Sequence, residues 1–447
     1  MSSRYFPNWR RVQVREQGAV VQPDEYLPMP QSVALGAQHV VAMFGSTILA
    51  PLLMGFDPNV AVLMSGVGTL IFFLLVGGRV PSYLGSSFAF IGGVVAVTGY
   101  TGSGPNPNIE VALVAIVVCG LIYTLIGLLV WWVGSRGGDG ATWIDKLMPP
   151  VVTGAIVAVI GLNLAPIAVK GAMGGGSFDT IMALMTILCV MGMGVYARGT
   201  PQRLLVLLGL MLAYVLYWLF ANLMGLGQAI DFSGVTQAAW VGLPNFTMPF
   251  SGEGAGRAIN YGAIAVIAPV VLVLVAENLG HIKAVSAMTG RNLDPYLGRA
   301  FVGDGIATMV AGSVGGTGVT TYAENIGVMA VTRIYSSLIF LIAAAFAILL
   351  GFSPKFGALI QTIPGPVLGG MAVVVFGLIT IAGARIWVVN QVDFSDNRNL
   401  LVAAVTMVLG AGNFSVEFGV FRLDGIGTAT FGAIILYALM RGMRKAS

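Results

Sequence analysis

A chain of 447 residues that is 57% hydrophobic and 9% charged departs far from an ordinary soluble domain, in which roughly a quarter of the residues carry charge, so the composition predicts a polytopic membrane protein. The small excess of 22 Lys and Arg over 18 Asp and Glu contains no basic block, which argues against a nucleic-acid partner and leaves orientation in the lipid bilayer as the use of that charge. Cys119 and Cys189 stand in apolar runs without CxxC or CxxH spacing, so both read as packing residues, and no disulfide framework, metal centre or cofactor is expected.

In chain order, residues 1–31 are polar, carry Arg4, Arg10, Arg11 and Arg15, and lack the apolar core of a cleaved signal peptide. They are predicted to remain as a cytoplasmic N-terminal segment. With about 20 apolar residues per crossing, candidate spans fall at 32–54, 58–77, 82–99, 110–134, 150–169, 178–197, 204–224, 258–283, 299–315, 320–332, 335–352, 357–382, 399–414 and 425–441. That is an all-α polytopic architecture of fourteen spans, two of them short. No connection is long enough for a separate soluble domain. With the N-terminus inside, eighteen of the 22 basic residues fall on the inner side, from Arg4 to Arg441, Arg444 and Lys445, and only Lys170, Arg257, Lys355 and Arg422 on the outer. This bias places both termini in the cytoplasm.

The halves echo each other. Pro150-Val151-x-x-Gly154-x6-Gly161-Leu162 recurs as Pro366-Val367-x-x-Gly370-x6-Gly377-Leu378, and an odd number of intervening spans sets the two copies in opposite orientation, as in inverted-repeat transporters. The same repeat makes spans 3 and 10 equivalent. Both enter a short apolar segment through Gly, Ser and Thr, at 82–90 and 315–324, and paired interruptions of this kind point to a transporter binding site. A broken helix frees backbone donors and acceptors, which membrane depth tolerates only along a cavity or against a ligand. The same small residues also serve close helix packing.

Three acidic residues stand out within spans: Glu277, Asp304 and Glu324. An ionisable group at that depth needs a partner or a function. Glu277 and His281, four apart, share a helix face, and a desolvated carboxyl holds its proton more tightly than one in water, the property a proton-coupled carrier needs. Asp304, between Gly303 and Gly305, also reads as structural positioning, and His39, beside Gln38, as a tie between helices. Phe88, Phe90 and Tyr322 offer walls for a planar ligand, or ordinary packing. Carboxylates accept from N–H groups and backbone N–H groups answer ring carbonyls, so the constellation suits a small planar molecule such as uracil. Glu277 and His281 could also serve as acid and base of an intramembrane enzyme, but no nucleophile accompanies them, and the chain reads as a non-enzyme. Half-helix N-termini would also suit an anion, though two carboxylates disfavour one.

Residues 324–333, Glu-Asn-Ile-Gly-Val-Met-Ala-Val-Thr-Arg, have the form of the signature of the nucleobase-ascorbate transporters, or nucleobase:cation symporter-2 proteins. The chain resembles that family over nearly its whole length, through Gln38-His39, Ser86-Ser87-Phe88-Ala89-Phe90, Ala276-Glu277-x-x-Gly280-His281 and Tyr322-x-Glu324-Asn325-Ile326-Gly327, and within it the bacterial uracil permeases. The resemblance implies two inverted repeats of seven spans. A core domain (32–134 and 258–352) would hold the substrate and a gate domain (150–224 and 357–441) would move against it. It implies that Glu277, Glu324, Phe88, Tyr322 and Ala323 bind the base, that Glu277 and His281 couple the proton, and that Asn325, His39 and Asp304 support them. A homodimer through the gate domain and a place in the bacterial inner membrane follow from the same likeness. Uracil import by proton symport is the expected function, with a broad purine and pyrimidine carrier or facilitator, as for xanthine, as the alternative. Three positions depart from the uracil permeases: Ala323 stands for Gly, Asn278 for His and Phe376 for a gate tyrosine. They bear on substrate breadth.

Overall fold

The computed structural model describes residues 5–12, 20–100, 104–136, 146–198, 202, 204–250, 259–418 and 421–443. Arg4, Arg15, Arg203, Arg257, Arg444 and Lys445 of the charge-bias argument lie outside them. The chain is mostly helical. In order the helices are α1 (Met29–Met54), α2 (Pro58–Leu75), α3 (Phe90–Thr98), α4 (Ile109–Ser135), α5 (Pro150–Met173), α6 (Ser177–Tyr196) and α7 (Leu205–Trp218) in the first half. The second half holds α8 (Tyr261–Ile267), α9 (Val270–Thr289), α10 (Leu297–Ser313), α11 (Ala323–Thr332), α12 (Ser337–Gly351), α13 (Pro354–Gln361), α14 (Gly365–Val389), α15 (Asn397–Ala411) and α16 (Gly425–Met443). Their boundaries follow local chemistry. Gly55, at φ 72°, ends α1 in the left-handed conformation that glycine adopts freely. Two residues on, the Asp57 carboxylate accepts from the Asn59 and Val60 amides at 2.7 and 3.2 Å, with Pro58 at the first helical position, to start α2.

Apolar side chains gain little from packing against each other rather than lipid, so close backbone approach through small residues has to hold membrane helices together. On α10, Gly298, Gly305 and Gly312 recur every seven residues and meet Trp131, Thr124 and Ile116 of α4, while Gly120 and Gly127 of α4 meet Met309 and Phe301 in return. Gly154 and Gly161 of α5 meet Trp387 and Thr380 of α14 in the same antiparallel fashion. These contacts obey the repeat. Adding the 216 residues between Pro150 and Pro366 turns the Gly154–Trp387 contact into one between Gly370 and Gly171, and a side-chain carbon placed at Gly171 would stand 3.5 Å from Gly369. Likewise α4 on α10 is matched by α12 on α2, α6 on α14 by α15 on α5, and α6 on α7 by α15 on α16.

Among the described residues eight helices are long and apolar enough to cross a membrane, or nine if α12 and α13, bent by 80°, form one. Fourteen were expected. The segments at 82–99 and 320–332 spend their length on strands and turns and keep helices of only 9 and 10 residues, and α15 also falls short. The expected span at 357–382 is divided by a break after Gln361, and the long helix there begins at Gly365.

An N-terminal strap crosses the face where α1 starts. Tyr5 donates to the Leu74 and Leu75 carbonyls at 2.8 and 2.9 Å, and Trp9 Nε1 donates to Ser337 Oγ at 3.0 Å. Arg291 pairs with Asp24 at 2.5 Å, and Val21 bridges to Ile334 just beyond α11.

Candidate functional site

The two short strands that precede α3 and α11 pair with each other. β1 (Leu84–Ser86) and β2 (Val319–Thr321) run antiparallel, Leu84 opposite Thr321 and Ser86 opposite Val319. Strand ends buried among helices need partners from outside the sheet, and a threonine on each side supplies them. The Leu84 amide donates to Thr69 Oγ1 of α2 at 2.9 Å, and Thr308 Oγ1 of α10 accepts from the Val319 amide at 3.2 Å and donates to its carbonyl at 3.1 Å. Glycine is required at Gly85, where a side-chain carbon would stand 2.5 Å from the Tyr322 ring and 2.7 Å from Thr47 Oγ1. Each strand runs directly into a half-length helix whose N-cap residue, Ala89 or Tyr322, makes no side-chain cap. At the start of α3 the Ala89 and Ile91 amides donate locally, to Ser87 Oγ at 3.3 Å and the Phe88 carbonyl at 3.1 Å, while both half-helices keep the positive end of their dipole at the strand crossing.

Around this crossing lie the expected residues. Glu324, in the first turn of α11, accepts from the Ser46 hydroxyl of α1 and faces a cavity of about 420 Å³ lined by Val41, Leu204, Val206, Gly327, Val331 and Leu378 among others. Ala323, the first residue of α11, is exposed. Glu277 and His281 occupy one face of α9. His281 Nδ1 stands 2.8 Å from Thr321 Oγ1 of β2, which brings α9 against the crossing. Glu277 Oε2 is buried and no donor among the described residues reaches it. Phe88, 8% exposed, turns its ring edge-on to Phe376 of α14 at 5.8 Å and 85°, so the core-side phenylalanine and the position that departs from tyrosine touch.

Other expected residues sit one layer back. Tyr322 is buried and donates to the Ser86 carbonyl at 2.7 Å, which locks the crossing and leaves the ring no open stacking face of the kind the sequence suggests. Asn325 Nδ2 donates to the His39 carbonyl at 3.0 Å and reaches His39 Nδ1 at 3.1 Å. An amide nitrogen only donates, so Nδ1 accepts there and the ring proton sits on Nε2. Asp304, fully buried, accepts from Asn278 Nδ2 at 2.6 Å, and Asn278 also reaches the Tyr123 hydroxyl at 3.1 Å. Sequence reasoning missed Ser46, Thr321, Tyr123 and the partnership of Asn278 with Asp304. For Ser46 a signal exists: it lies seven residues after His39, on the same helix face. Among the described residues no group of three or more His, Cys, Asp or Glu could hold a metal ion.

Long apolar antiparallel helices about a buried crossing of two strand-led half-helices are the build of a multi-pass membrane protein. The Permease family profile matches residues 30–418, and the chain belongs to that family, the nucleobase:cation symporter-2 permeases. It is 60% identical over 435 residues to the "Putative pyrimidine permease RutG" of Escherichia coli (strain K12), covering 97% of this chain and 95% of that protein. It is 41% identical to the uracil permease of Paenibacillus larvae over 93% of this chain and 96% of that protein. Among solved structures, the transmembrane domain of the cyanobacterial bicarbonate transporter BicA aligns over 91% of this chain and 97% of its own, with a TM-score of 0.60 at 16% identity. SLC26A9 aligns over 92% of this chain and 66% of its own, with a TM-score of 0.63 at 11% identity. The last two share the fold.

Proposed function

We propose that the chain imports uracil, and other pyrimidines with it, by proton symport and alternating access. The observation that carries this reading is Glu277 Oε2, a buried acceptor that no donor among the described residues reaches, near the strand crossing where α3 and α11 begin. Such an acceptor is satisfied only when a ligand brings a donor, and a ring with alternating N–H and C=O groups does so. Glu324 is the second acceptor and lies on the cavity wall. Phe88 stacks on the base, Ala323 borders it, and Tyr322 keeps the strands crossed. Glu277, held beside His281, takes and gives the transported proton, and Asn325, His39 and Asp304 hold the helices that present these groups. The names of the pyrimidine and uracil permease relatives support this substrate class.

The same reading counts α3 and α11, with their strands, as spans 3 and 10 of fourteen in two inverted repeats. Residues 32–134 and 258–352 form the core domain, and 150–224 and 357–441 the gate domain, through which a homodimer forms in the inner membrane with both termini cytoplasmic. Equilibrium binding of uracil to the purified protein as a function of pH, for the native chain and for Glu324→Gln, tests the assignment. Native binding lost in the variant, with a proton taken up or released on binding, supports it. A native protein that ignores uracil and binds xanthine overturns the substrate. The departures at Ala323, Asn278 and Phe376 favour a second reading, a broad purine and pyrimidine carrier, which competition by xanthine, thymine and hypoxanthine distinguishes.

A further inference from the structure

The cavity at Glu324 extends along α11 toward Val331 and the start of α7, that is, toward the face crossed by the N-terminal strap. The opposite face is built differently. Asn59 Nδ2, just past the end of α1, donates to the Ser353 carbonyl at 3.0 Å, and α13 and the start of α14 follow directly, so α14 starts near where α1 ends. α3 runs from the crossing toward the same face, where Asn106 Nδ2 donates to the Met54 carbonyl and to Thr98 Oγ1. The end of α15 meets α5 near its middle, with Gly410 against Val159, so the end of α15 and the start of α16 lie at mid-depth beside α3. There a hairpin of β3 (Val416–Phe418) and β4 (Phe421–Leu423) joins α15 to α16.

Three polar side chains are gathered at its base. Asn163 Nδ2 of α5 donates to the Gly410 carbonyl at 2.8 Å and to Asn413 Oδ1 at 3.2 Å, and Asn413 Oδ1 also accepts from the Gly425 amide at 2.9 Å. Asp424 Oδ1 accepts from the Gly427 amide at 2.7 Å and so starts α16. All of this belongs to the gate helices, and it presses on the core. A side-chain carbon placed at Gly92 of α3 would stand 3.5 Å from Asp424 Oδ2, 3.6 Å from Asn163 Oδ1 and 3.9 Å from Ile426 Cδ1, and β4 packs on α8. α3 is the helix that Phe88 and β1 lead into, so whatever sits on Gly92 caps the route from the substrate crossing to this face.

We infer that the start of α16, with Asp424 and Ile426, and Asn163 of α5, seated together on Gly92 of α3, form the outer gate of the transport path, shut in this conformation while the Glu324 cavity is open on the other side. The inference rests on the alternating-access reading above. The polar groups in the contact leave it easy to rewet, which a surface that parts once per cycle needs, whereas the glycine seams of α4 on α10 and α5 on α14 are apolar and stay closed.

The test is a disulfide across the contact. Gly92→Cys with Asp424→Cys, in a chain carrying Cys119→Ala and Cys189→Ala, is oxidised in cells, and cross-link yield is read by mass while uptake of labelled uracil is read with and without reducing agent. Cross-linking that lowers uptake by about tenfold or more, restored on reduction, is the expected result. A cross-link with undiminished uptake, or a folded pair that does not cross-link, overturns the gate. Gly92→Cys with Ile426→Cys asks the same question should the first pair not fold. Uptake by the native chain reads the substrate assignment alone, and the oxidised-to-reduced ratio reads the gate alone, so the two fail separately.

Discussion

On α1 a single helix face serves the first two residues of the signature segment: His39 is held by Asn325, and Ser46, two turns on, donates to Glu324. Adjacent residues of α11 are thus fixed by one helix, and the carboxylate proposed to meet the ligand has its direction set by a hydroxyl. Positioning of this kind is what a buried acceptor needs to present its second oxygen to an incoming N–H. Ser46→Ala is therefore expected to weaken uracil binding by about fivefold, the worth of one neutral hydrogen bond near 1 kcal/mol, while leaving the melting temperature in detergent almost unchanged. Isothermal titration beside a thermal melt separates these. A large loss of stability with binding intact would assign Ser46 to packing instead. The carboxylates and histidines that surround the crossing are legible in the sequence because an ionisable group in an apolar run is conspicuous. Their partners are not, since Ser46, Thr321 and Tyr123 are residue types that membrane helices carry for many reasons, and only the fold brings Asn278 to Asp304.

At the scale of elements, hydropathy locates most helices, because lipid imposes a continuous apolar stretch on anything that crosses it. It is blind to the strands. Leu84–Ser86 and Val319–Thr321 are three residues each, too short for an alternating pattern, and their pairing is dictated by a partner 235 positions away, as for Gly85 opposite Thr320. It is equally blind to the break after Gln361, where Ile363-Pro364-Gly365 continues an apolar run while the backbone turns. The seven-residue recurrence of Gly298, Gly305 and Gly312 stands in the sequence, but only the fold names α4 as its partner. A side-chain carbon at Gly305 would lie 2.6 Å from the Thr124 amide and 2.8 Å from the Gly120 carbonyl, groups of another backbone that cannot step aside. Gly305→Leu is thus expected to cost about 1–3 kcal/mol or more through overpacking, visible as a lower melting temperature, and to weaken uracil binding by displacing Asp304 and with it α9. Gly134→Ala, where nothing lies within 4 Å, serves as the control and should melt with the native chain.

For the molecule as a whole, asymmetry between two equivalent halves is the functional statement. Packing pairs repeat from one half to the other, yet the two faces of the strand crossing differ: one carries the cavity from Glu324 to Val331, the other the start of α16 on Gly92. Under the alternating-access proposal such an arrangement has a second state in which the faces exchange roles, and the repeat would make both states of similar construction and so of similar energy. The strap lies on one of these faces, where Tyr5, Trp9, Val21 and Asp24 tie it to the end of α2, the start of α12, the end of α11 and Arg291 in the turn between α9 and α10. Val331, 54% exposed on the cavity wall, reports which state is populated. A cysteine there, Val331→Cys in a chain freed of its native cysteines, is expected to react with a membrane-impermeant maleimide in inside-out vesicles and to be spared in right-side-out ones, and uracil is expected to slow the reaction by occupying the same space. Equal labelling from both sides would mean a path open throughout, which is a channel and not a carrier; labelling from the outside alone would invert the orientation assigned to the termini.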